Sequence, residues 1–234
     1  MSGISMQEPF FTIGHSTHSL TEFVDMLKAA EVQFVVDVRA IPKSRRNAQY
    51  DIETLPAALA RFDLGYEHVP ALGGRRPKSK TVARETNAFW QNESFHNFAD
   101  YALSEPFQVG FAGLREAGHR QRCAVMCAEA VWWRCHRRII ADYLIASAET
   151  VLHILAADKI APAAMTSAAR RLPDGSLLSV GCRRRSLIAR AATRARSLAH
   201  RLRCCAERSR QTTQFPSSSA RGAVLPCCRP IFSA

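Results

Sequence analysis

Residues 122–144, RCAVMCAEAVWWRCHRRIIADYL, gather several side chains that can carry out chemistry. An apolar run ends at Cys127, a polar and aromatic loop follows, and a helical pattern begins at Cys135, which predicts a strand, a loop and a helix N-terminus. Unpaired backbone N–H groups at a helix start attract anions and lower the pKa of a nearby thiol. The stretch therefore predicts a site for thiol or anion chemistry. Its candidate side chains are Cys127, Glu129, Arg134, Cys135, His136 and Arg137.

Cys127 is the strongest candidate for a nucleophile. A thiolate at the strand end would face the helix N-terminus and the charges of Arg134 and Arg137. This layout is similar to that of rhodaneses and cysteine phosphatases, whose Cys-to-Arg loop binds an oxyanion. The loop here is longer, lacks glycine and carries two adjacent tryptophans, so it makes a poor backbone cradle for an anion. The alternative is that Cys127 only packs at the end of the strand.

The other candidates for catalysis are carboxylates and a histidine. Glu129 and His136 could form an acid–base pair, or Glu129 could pair with Arg137 or Arg39 and hold the loop in place. Asp37 follows a buried apolar run and could accept from a ribose hydroxyl or position a base, or it could cap a loop. Both sets of alternatives stay open.

A metal site formed by Cys127, Cys135 and His136, with His15 as a further ligand, is another alternative. Adjacent residues on a helix do not easily turn both side chains to one ion, and the chain has no paired C-x-x-C motif. We therefore expect no metal at this site, and the sequence indicates no particular cofactor.

Apolar runs alternate with helical patterns along residues 10–155. The predicted strands are 10–13, 33–38, 66–69, 124–126 and 151–155. A capping box at Ser19 and Glu22 predicts the start of the first helix. The alternation predicts an α/β domain with a single open, mostly parallel sheet of about five strands and helices on both faces. We expect a Rossmann-like strand order of 3-2-1-4-5.

Ligands of such sheets bind beyond the carboxyl ends of the strands. The expected order places the loop after the first strand beside the loop after the fourth. The residues expected to bind substrate are Gly14, His15, Ser16, Arg39, Arg45, Arg46, Gly73, Gly74, Arg134, Cys135 and Arg137. We expect most of them to converge with the catalytic candidates on one pocket.

The net charge of +12 belongs to the end of the chain rather than to its body. Residues 1–180 hold 20 basic and 19 acidic residues, whereas residues 181–234 hold 12 arginines and one glutamate. We expect residues 1–178 to form a single domain and residues 179–234 to be a disordered tail or a frame-shifted read-through. A basic amphipathic helix is the alternative for this tail.

The sequence also predicts the cellular location of the protein. No apolar stretch approaches the roughly 20 residues that span a bilayer, and the first ten residues do not resemble a secretory signal. We expect a cytoplasmic protein whose body cysteines are reduced, which makes them candidates for chemistry or for metal binding rather than for disulfides.

Four separated motifs occur together in this chain. They are TIGHS at residues 12–16, VDVR at 36–39, LGG at 72–74, and CAE at 127–129 followed by CHR at 135–137. In this order and spacing they resemble the prokaryotic family called domain of unknown function 488 (DUF488), over about residues 10–178. The resemblance implies a compact α/β domain, and the family's name records that its activity is not established. The family usually closes with a short strand and a Tyr-Pro pair, an ending that residues 175–178 begin without completing.

Two classes of function agree with these features. In the first, the domain is an enzyme that acts on a small anionic or nucleotide-like substrate, which the near-neutral body favours. In the alternative, it is a regulatory module that binds nucleotide or nucleic acid without catalysis. The phosphate contacts of that module would be Arg45, Arg46, Arg75, Arg76, Lys78 and Lys80, with Trp132 or Trp133 as a stacking platform.

Overall fold

The structure is a computed structural model that describes residues 8–44 and 46–181. Arg45, which was expected to bind substrate, and the predicted tail from residue 182 onward lie outside the described residues. Within the described ranges, none of the helices has the length and apolar character needed to cross a membrane.

Six strands form the main sheet in the order β3-β2-β4-β1-β5-β6. They are β1 (Phe10–Gly14), β2 (Phe34–Asp37), β3 (Gly65–His68), β4 (Cys123–Cys127), β5 (Val151–Ala156) and β6 (Lys159–Pro162). Neighbours pair in parallel, except that β6 is antiparallel to β5. Two short strands, β7 (Ala169–Arg171) and β8 (Leu177–Ser179), form a separate antiparallel sheet. The predicted α/β class with a mostly parallel sheet is confirmed.

The predicted order 3-2-1-4-5 is wrong, because β4 lies between β2 and β1. Strand β4 pairs with β2 from Cys123 to Met126 and with β1 from Ala124 to Cys127. Its residues from Cys123 to Met126 are 0% exposed, which suits the centre of a parallel sheet. Strands β1 and β4 are adjacent in both the predicted and the observed order, so the loops that follow them still meet.

The sequence does not predict β6, because its four residues, KIAP, are mostly exposed and contain a lysine and a proline. Proline is tolerated on edge strands, where its missing N–H faces away from a partner. The strand returns along β5 after a two-residue turn and forms the edge of the sheet.

The described part of the chain contains five α-helices. They are α1 (Leu20–Ala29), α2 (Leu55–Ala60), α3 (Glu93–Tyr101), α4 (Glu105–Arg120) and α5 (Arg137–Ala146). The predicted capping box begins α1, since Ser19 Oγ accepts from Glu22 N while the Glu22 carboxylate accepts from Ser19 N. Helix α5 begins at Arg137 rather than at Cys135, whose φ of −115° and ψ of 145° are extended.

Two hydrophobic clusters hold the helices to the sheet. One cluster packs α1 and α2 against strand residues that include Phe11 and Met126. The other packs α3, α4 and α5 against strand residues that include Phe10 and Val125. Neighbouring residues of a strand point to opposite faces, so the two clusters contact opposite faces of the sheet.

Candidate functional site

A cavity of about 770 Å³ opens beyond the carboxyl ends of β1, β2 and β4, a volume typical of small-molecule sites. The loops after β1 and β4 meet there through hydrogen bonds from His15 N to Cys127 O (2.9 Å) and from Ser16 N to Ala128 O (3.0 Å). Gly14 permits this approach, since a Cβ at that position would lie 2.0 Å from the carbonyl oxygen of Glu129.

Two thiols and an imidazole, from Cys127, Cys135 and His136, form a cluster on the wall of the cavity. Cys127 Sγ lies 4.0 Å from His136 Nδ1, and Cys135 Sγ lies 3.6 Å from the same atom. The His136 ring occupies space left by Gly74, because a Cβ at that glycine would lie 2.5 Å from Nδ1. The three side chains therefore converge through the extended backbone of Cys135 and the absence of a side chain at Gly74.

The orientation of the His136 ring determines which of its nitrogens faces the thiols. Nε2 lies 3.1 Å from the carbonyl oxygen of Val38. A carbonyl only accepts hydrogen bonds, so Nε2 carries a proton and donates the hydrogen bond. In the neutral ring, Nδ1 is then unprotonated and presents its lone pair to the two sulfurs.

Arg137 lies behind this cluster and is 1% exposed. Its Nε donates to Cys135 Sγ at 3.3 Å, and its Nη2 donates to the carbonyl oxygen of Glu129. The neighbouring Cys127 thiol lowers the pKa of Cys135 well below its ordinary value, and the Arg137 charge lowers it further. The neighbouring Cys135 sulfur, together with burial, raises the pKa of Cys127.

Asp37 and Arg39 form a second polar group beside the cluster, and its hydrogen bonds are internal. Asp37 is 0% exposed and accepts from Arg39 Nε (2.9 Å), from Arg39 Nη2 (2.6 Å) and from Tyr66 Oη (2.7 Å). Arg39 Nη2 also donates to the carbonyl oxygen of Tyr50 at 2.7 Å. The Asp37 carboxylate therefore holds Arg39 in place, and it does not line the cavity.

His15 completes this group. Its ring stacks on Tyr50 with 4.0 Å between centroids, and its Nδ1 lies 3.0 Å from the carbonyl oxygen of Ser16. Nδ1 therefore donates, which leaves Nε2 to accept from Arg39 Nη1 at 3.4 Å. Burial and the Arg39 charge lower the pKa of His15 to about 4, so the ring is neutral at pH 7.

The charged residues that line the cavity are mostly cationic. Arg75 and Arg134 are exposed, and neither makes an ion pair or side-chain hydrogen bond among the residues that the structure describes. Lys43 also lines the cavity and pairs with Glu53 at 2.6 Å. Glu129 is the sole acidic side chain among the described lining residues. This charge distribution favours an anionic ligand.

The cavity brings together many, but not all, of the residues expected at the site. Those that line it are His15, Ser16, Arg39, Gly74, Cys127, Glu129, Arg134, Cys135 and His136. Those that do not are Gly14, Asp37, Arg46, Gly73 and Arg137. Gly14, Asp37 and Arg137 lie outside the cavity and contact residues that line it.

Two residues named for nucleic-acid binding have structural partners. Arg76 donates to the carbonyl oxygens of Gly73 and Pro70, and its guanidinium lies 3.7 Å from the centroid of the Tyr101 ring. Trp132 stacks on His153 with 4.3 Å between ring centroids. Trp133 remains 54% exposed.

The sequence did not indicate Tyr50 and Tyr66, which contact the Asp37–Arg39 group, or several lining residues. The lining residues that it did not name are Thr17, Ala40, Ile41, Lys43, Ser44, Asn47, Ser94, Phe95, Ala128 and Ala130. Tyr66 carries no local signal of its role, because it meets Asp37 only through the pairing of β2 with β3.

Comparison with known proteins places the chain in one family. A family model described as domain of unknown function DUF488 matches residues 19–144, more than half of the chain. No curated protein and no solved structure matches the chain. The resemblance predicted from the four motifs is confirmed over the matched range.

Proposed function

Because the chain belongs to the family described as domain of unknown function DUF488, a description that names no activity, we propose a function from its cavity. The protein is an enzyme that acts on a small anionic, nucleotide-like substrate. One observation carries this proposal: two guanidinium groups without protein partners in the described chain, Arg75 and Arg134, border the same cavity as the thiol–imidazole cluster.

Arg75 and Arg134 bind the anionic group of the substrate. A guanidinium group presents a planar set of donors that matches phosphate and carboxylate oxygens, and it stays charged at any physiological pH. Lys43 adds a third positive charge at the cavity. The side chains of Ile41 and Phe95 supply apolar surface for the uncharged part of the substrate, which supports a nucleotide-like ligand.

The reacting groups belong to the wall of the cavity. Cys127, Cys135 and His136 face the bound substrate. Glu129 is exposed at the same cavity and is the carboxylate available for proton transfer. Asp37 has a positioning role, because its carboxylate holds Arg39 and is closed off from the cavity.

Titration calorimetry of the full chain with inorganic phosphate and with nucleoside mono-, di- and triphosphates tests the binding step. We expect Arg134→Gln and Arg75→Gln each to weaken binding about tenfold, since each removes one charge-assisted contact. Arg61→Gln is the matched control, because Arg61 is exposed and does not line the cavity. Equal affinities in the parent and all three variants would reject the anion site.

Chromatography of the same nucleotides after incubation tests catalysis. We expect the parent to convert at least one of them and the double variant Cys127→Ala/Cys135→Ala to convert none. Binding of a nucleotide without any conversion would indicate a binding module rather than an enzyme.

A nucleic-acid-binding module is the second candidate, and the exposed Trp133 next to Arg134 favours it. Salt dependence separates the two candidates. Several phosphate contacts predict a steep loss of oligonucleotide affinity between about 50 and about 200 mM salt, whereas a small-ligand pocket predicts a shallow dependence.

A cytoplasmic location also belongs to this proposal. The described cysteines, Cys123, Cys127 and Cys135, are all free thiols, the state that a reducing compartment maintains. Fractionation of cells followed by immunodetection checks the location, and recovery in an extracytoplasmic fraction would reject it.

A further inference from the structure

A set of two thiols and one imidazole with the spacing of metal ligands lies at the carboxyl end of β4. We infer that Cys127, Cys135 and His136 bind a single Zn²⁺ ion whose fourth coordination position faces the cavity. Their ligand atoms all lie within 4.8 Å of one another, and the two sulfurs lie 4.0 and 3.6 Å from His136 Nδ1. Ligands at about 2.0–2.3 Å from a tetrahedral zinc lie roughly 3.5–3.8 Å apart, so small side-chain rotations close this set on one ion.

The His136 ring is oriented for metal binding before any ion arrives. Its Nε2–H donates to the carbonyl oxygen of Val38, which leaves the Nδ1 lone pair directed at the sulfurs. Zinc-binding histidines commonly donate their other ring N–H to a backbone carbonyl or a carboxylate, because that contact selects the tautomer and the ring orientation. Val38 O is therefore an outer partner of the zinc site.

The charges around the cluster suit two thiolates. Zinc binds cysteine as thiolate, and Arg137 Nε donates to Cys135 Sγ at 3.3 Å from a side chain that is 1% exposed. This buried cation stabilises the negative charge on the sulfur. Soft sulfur ligands combined with imidazole favour zinc over the hard cations Mg²⁺ and Ca²⁺, which prefer oxygen.

Adjacent cysteine and histidine residues would turn away from a shared ion only if both lay on a helix. Cys135 has extended backbone angles, and α5 begins only at Arg137. The bend between Cys135 and the helix turns both side chains toward Cys127. The adjacency of the two residues is therefore compatible with a shared ion.

Three protein ligands leave one position of a tetrahedral zinc open, as in catalytic zinc sites. All three ligand residues line the cavity, so the open position faces the space bordered by Arg75 and Arg134. The zinc inference does not need the anionic substrate of the proposed function. Metal content and ligand binding are measured separately, so failure of either idea is distinguishable from failure of the other.

The test compares metal binding in the full chain and in matched alanine variants under reducing conditions. Each protein is equilibrated with Zn²⁺, dialysed against metal-free buffer and analysed for zinc by mass spectrometry. We expect Cys127→Ala and Cys135→Ala each to hold one zinc ion fewer per chain than the parent. Cys123→Ala is the control, because Cys123 is buried on the same strand and lies outside the cluster; its zinc content should equal that of the parent.

Two further measurements keep the result clear in a chain that contains eight cysteines. Cobalt(II) substitution should give the visible spectrum of tetrahedral thiolate coordination in the parent and in Cys123→Ala, and a weaker one in the two cluster variants. In chelator competition, His136→Gln should weaken zinc binding at least tenfold. Equal zinc content in all proteins, or a cobalt spectrum that the cluster variants leave unchanged, would overturn the inference. Circular dichroism identifies any variant that fails to fold, and the remaining variants then decide.

Discussion

Two polar groups lie side by side at the carboxyl edge of the sheet and differ in whether their hydrogen bonds are complete. In the first, Asp37 accepts from Arg39 and Tyr66 and is 0% exposed. In the second, Cys127 and Cys135 line the cavity, with their sulfurs 4.0 and 3.6 Å from the same atom, His136 Nδ1. We call these the closed group and the open group. A saturated set of partners stabilises a fold, whereas an unsaturated set that faces a cavity is available to a ligand.

The comparison shows that residue type at a strand end does not separate structure from chemistry. In the sequence, the pair Asp37 and Arg39 is as good a candidate for catalysis as the two cysteines and the histidine of the open group. Tyr66 and Tyr50, which come from elsewhere in the chain, complete the hydrogen bonds of the closed group. Among the described residues, no side chains from distant parts of the chain complete the hydrogen bonds of the open group in this way.

The largest expected effect comes from breaking the closed group. Asp37→Asn removes the negative charge and leaves Arg39, which is 4% exposed, as an uncompensated buried cation. We expect the free energy of unfolding to fall by about 3–5 kcal/mol, measured by urea denaturation. Asp25→Asn, which changes an exposed carboxylate on α1, is the control and should stay within about 0.5 kcal/mol of the parent. A loss below about 1 kcal/mol in Asp37→Asn would show that the closed group is not structural.

The second predicted effect is a loss of folding stability at low pH. It comes from His153, another buried residue with internal partners. Its ring is 2% exposed and its Nδ1 lies 2.7 Å from Thr12 Oγ1. Burial lowers the pKa of His153 from 6.5 to about 4, so folding disfavours the charged ring. The stability that the neutral ring contributes is present above pH 6.5 and is lost as the pH falls toward 4.

We expect this loss to be about 3 kcal/mol, because one pKa unit corresponds to about 1.4 kcal/mol. Urea denaturation of the parent and of His153→Gln at several pH values measures it. The parent should lose more stability than the variant between pH 7 and pH 4. Parallel curves for the two proteins would contradict the buried neutral state.

Tyr66→Phe removes one hydrogen bond from the closed group and keeps both charges. Because the acceptor is the charged carboxylate of Asp37, we expect a loss of about 2 kcal/mol in the free energy of unfolding. Tyr66→Phe combined with Asp37→Asn should cost less than the sum of the single changes, since the two side chains share one contact. Strict additivity in this cycle would mean that the 2.7 Å contact contributes nothing.

The smallest effect on stability is expected in the open group. Cys127→Ala in metal-free, reducing buffer should change the free energy of unfolding by less than about 1 kcal/mol, because the side chain is half-buried and borders a cavity. Thermal unfolding checks this value against the parent. A loss above about 2 kcal/mol would place Cys127 among the structural residues and remove the distinction between the two groups.

Local features of the sequence are sufficient to predict much of the fold. The Ser19–Glu22 capping box begins α1 as predicted, because its partners are three residues apart and need no tertiary contact. Short apolar runs correctly indicate five parallel strands. The meeting of the loops after β1 and β4 is also predictable, since the carboxyl ends of parallel strands lie on one edge.

Only the tertiary structure decides the strand order, the closure of the Asp37 group and the geometry of Cys135. The position of β4 between β2 and β1 depends on pairing between segments far apart in the chain, which periodicity cannot encode. Tyr66 reaches Asp37 across a strand pair, and the His136 ring fits only because residue 74 is glycine. The sequence by itself determined which reactive side chains reach this edge of the sheet. Long-range packing decided which of them have a complete set of internal partners.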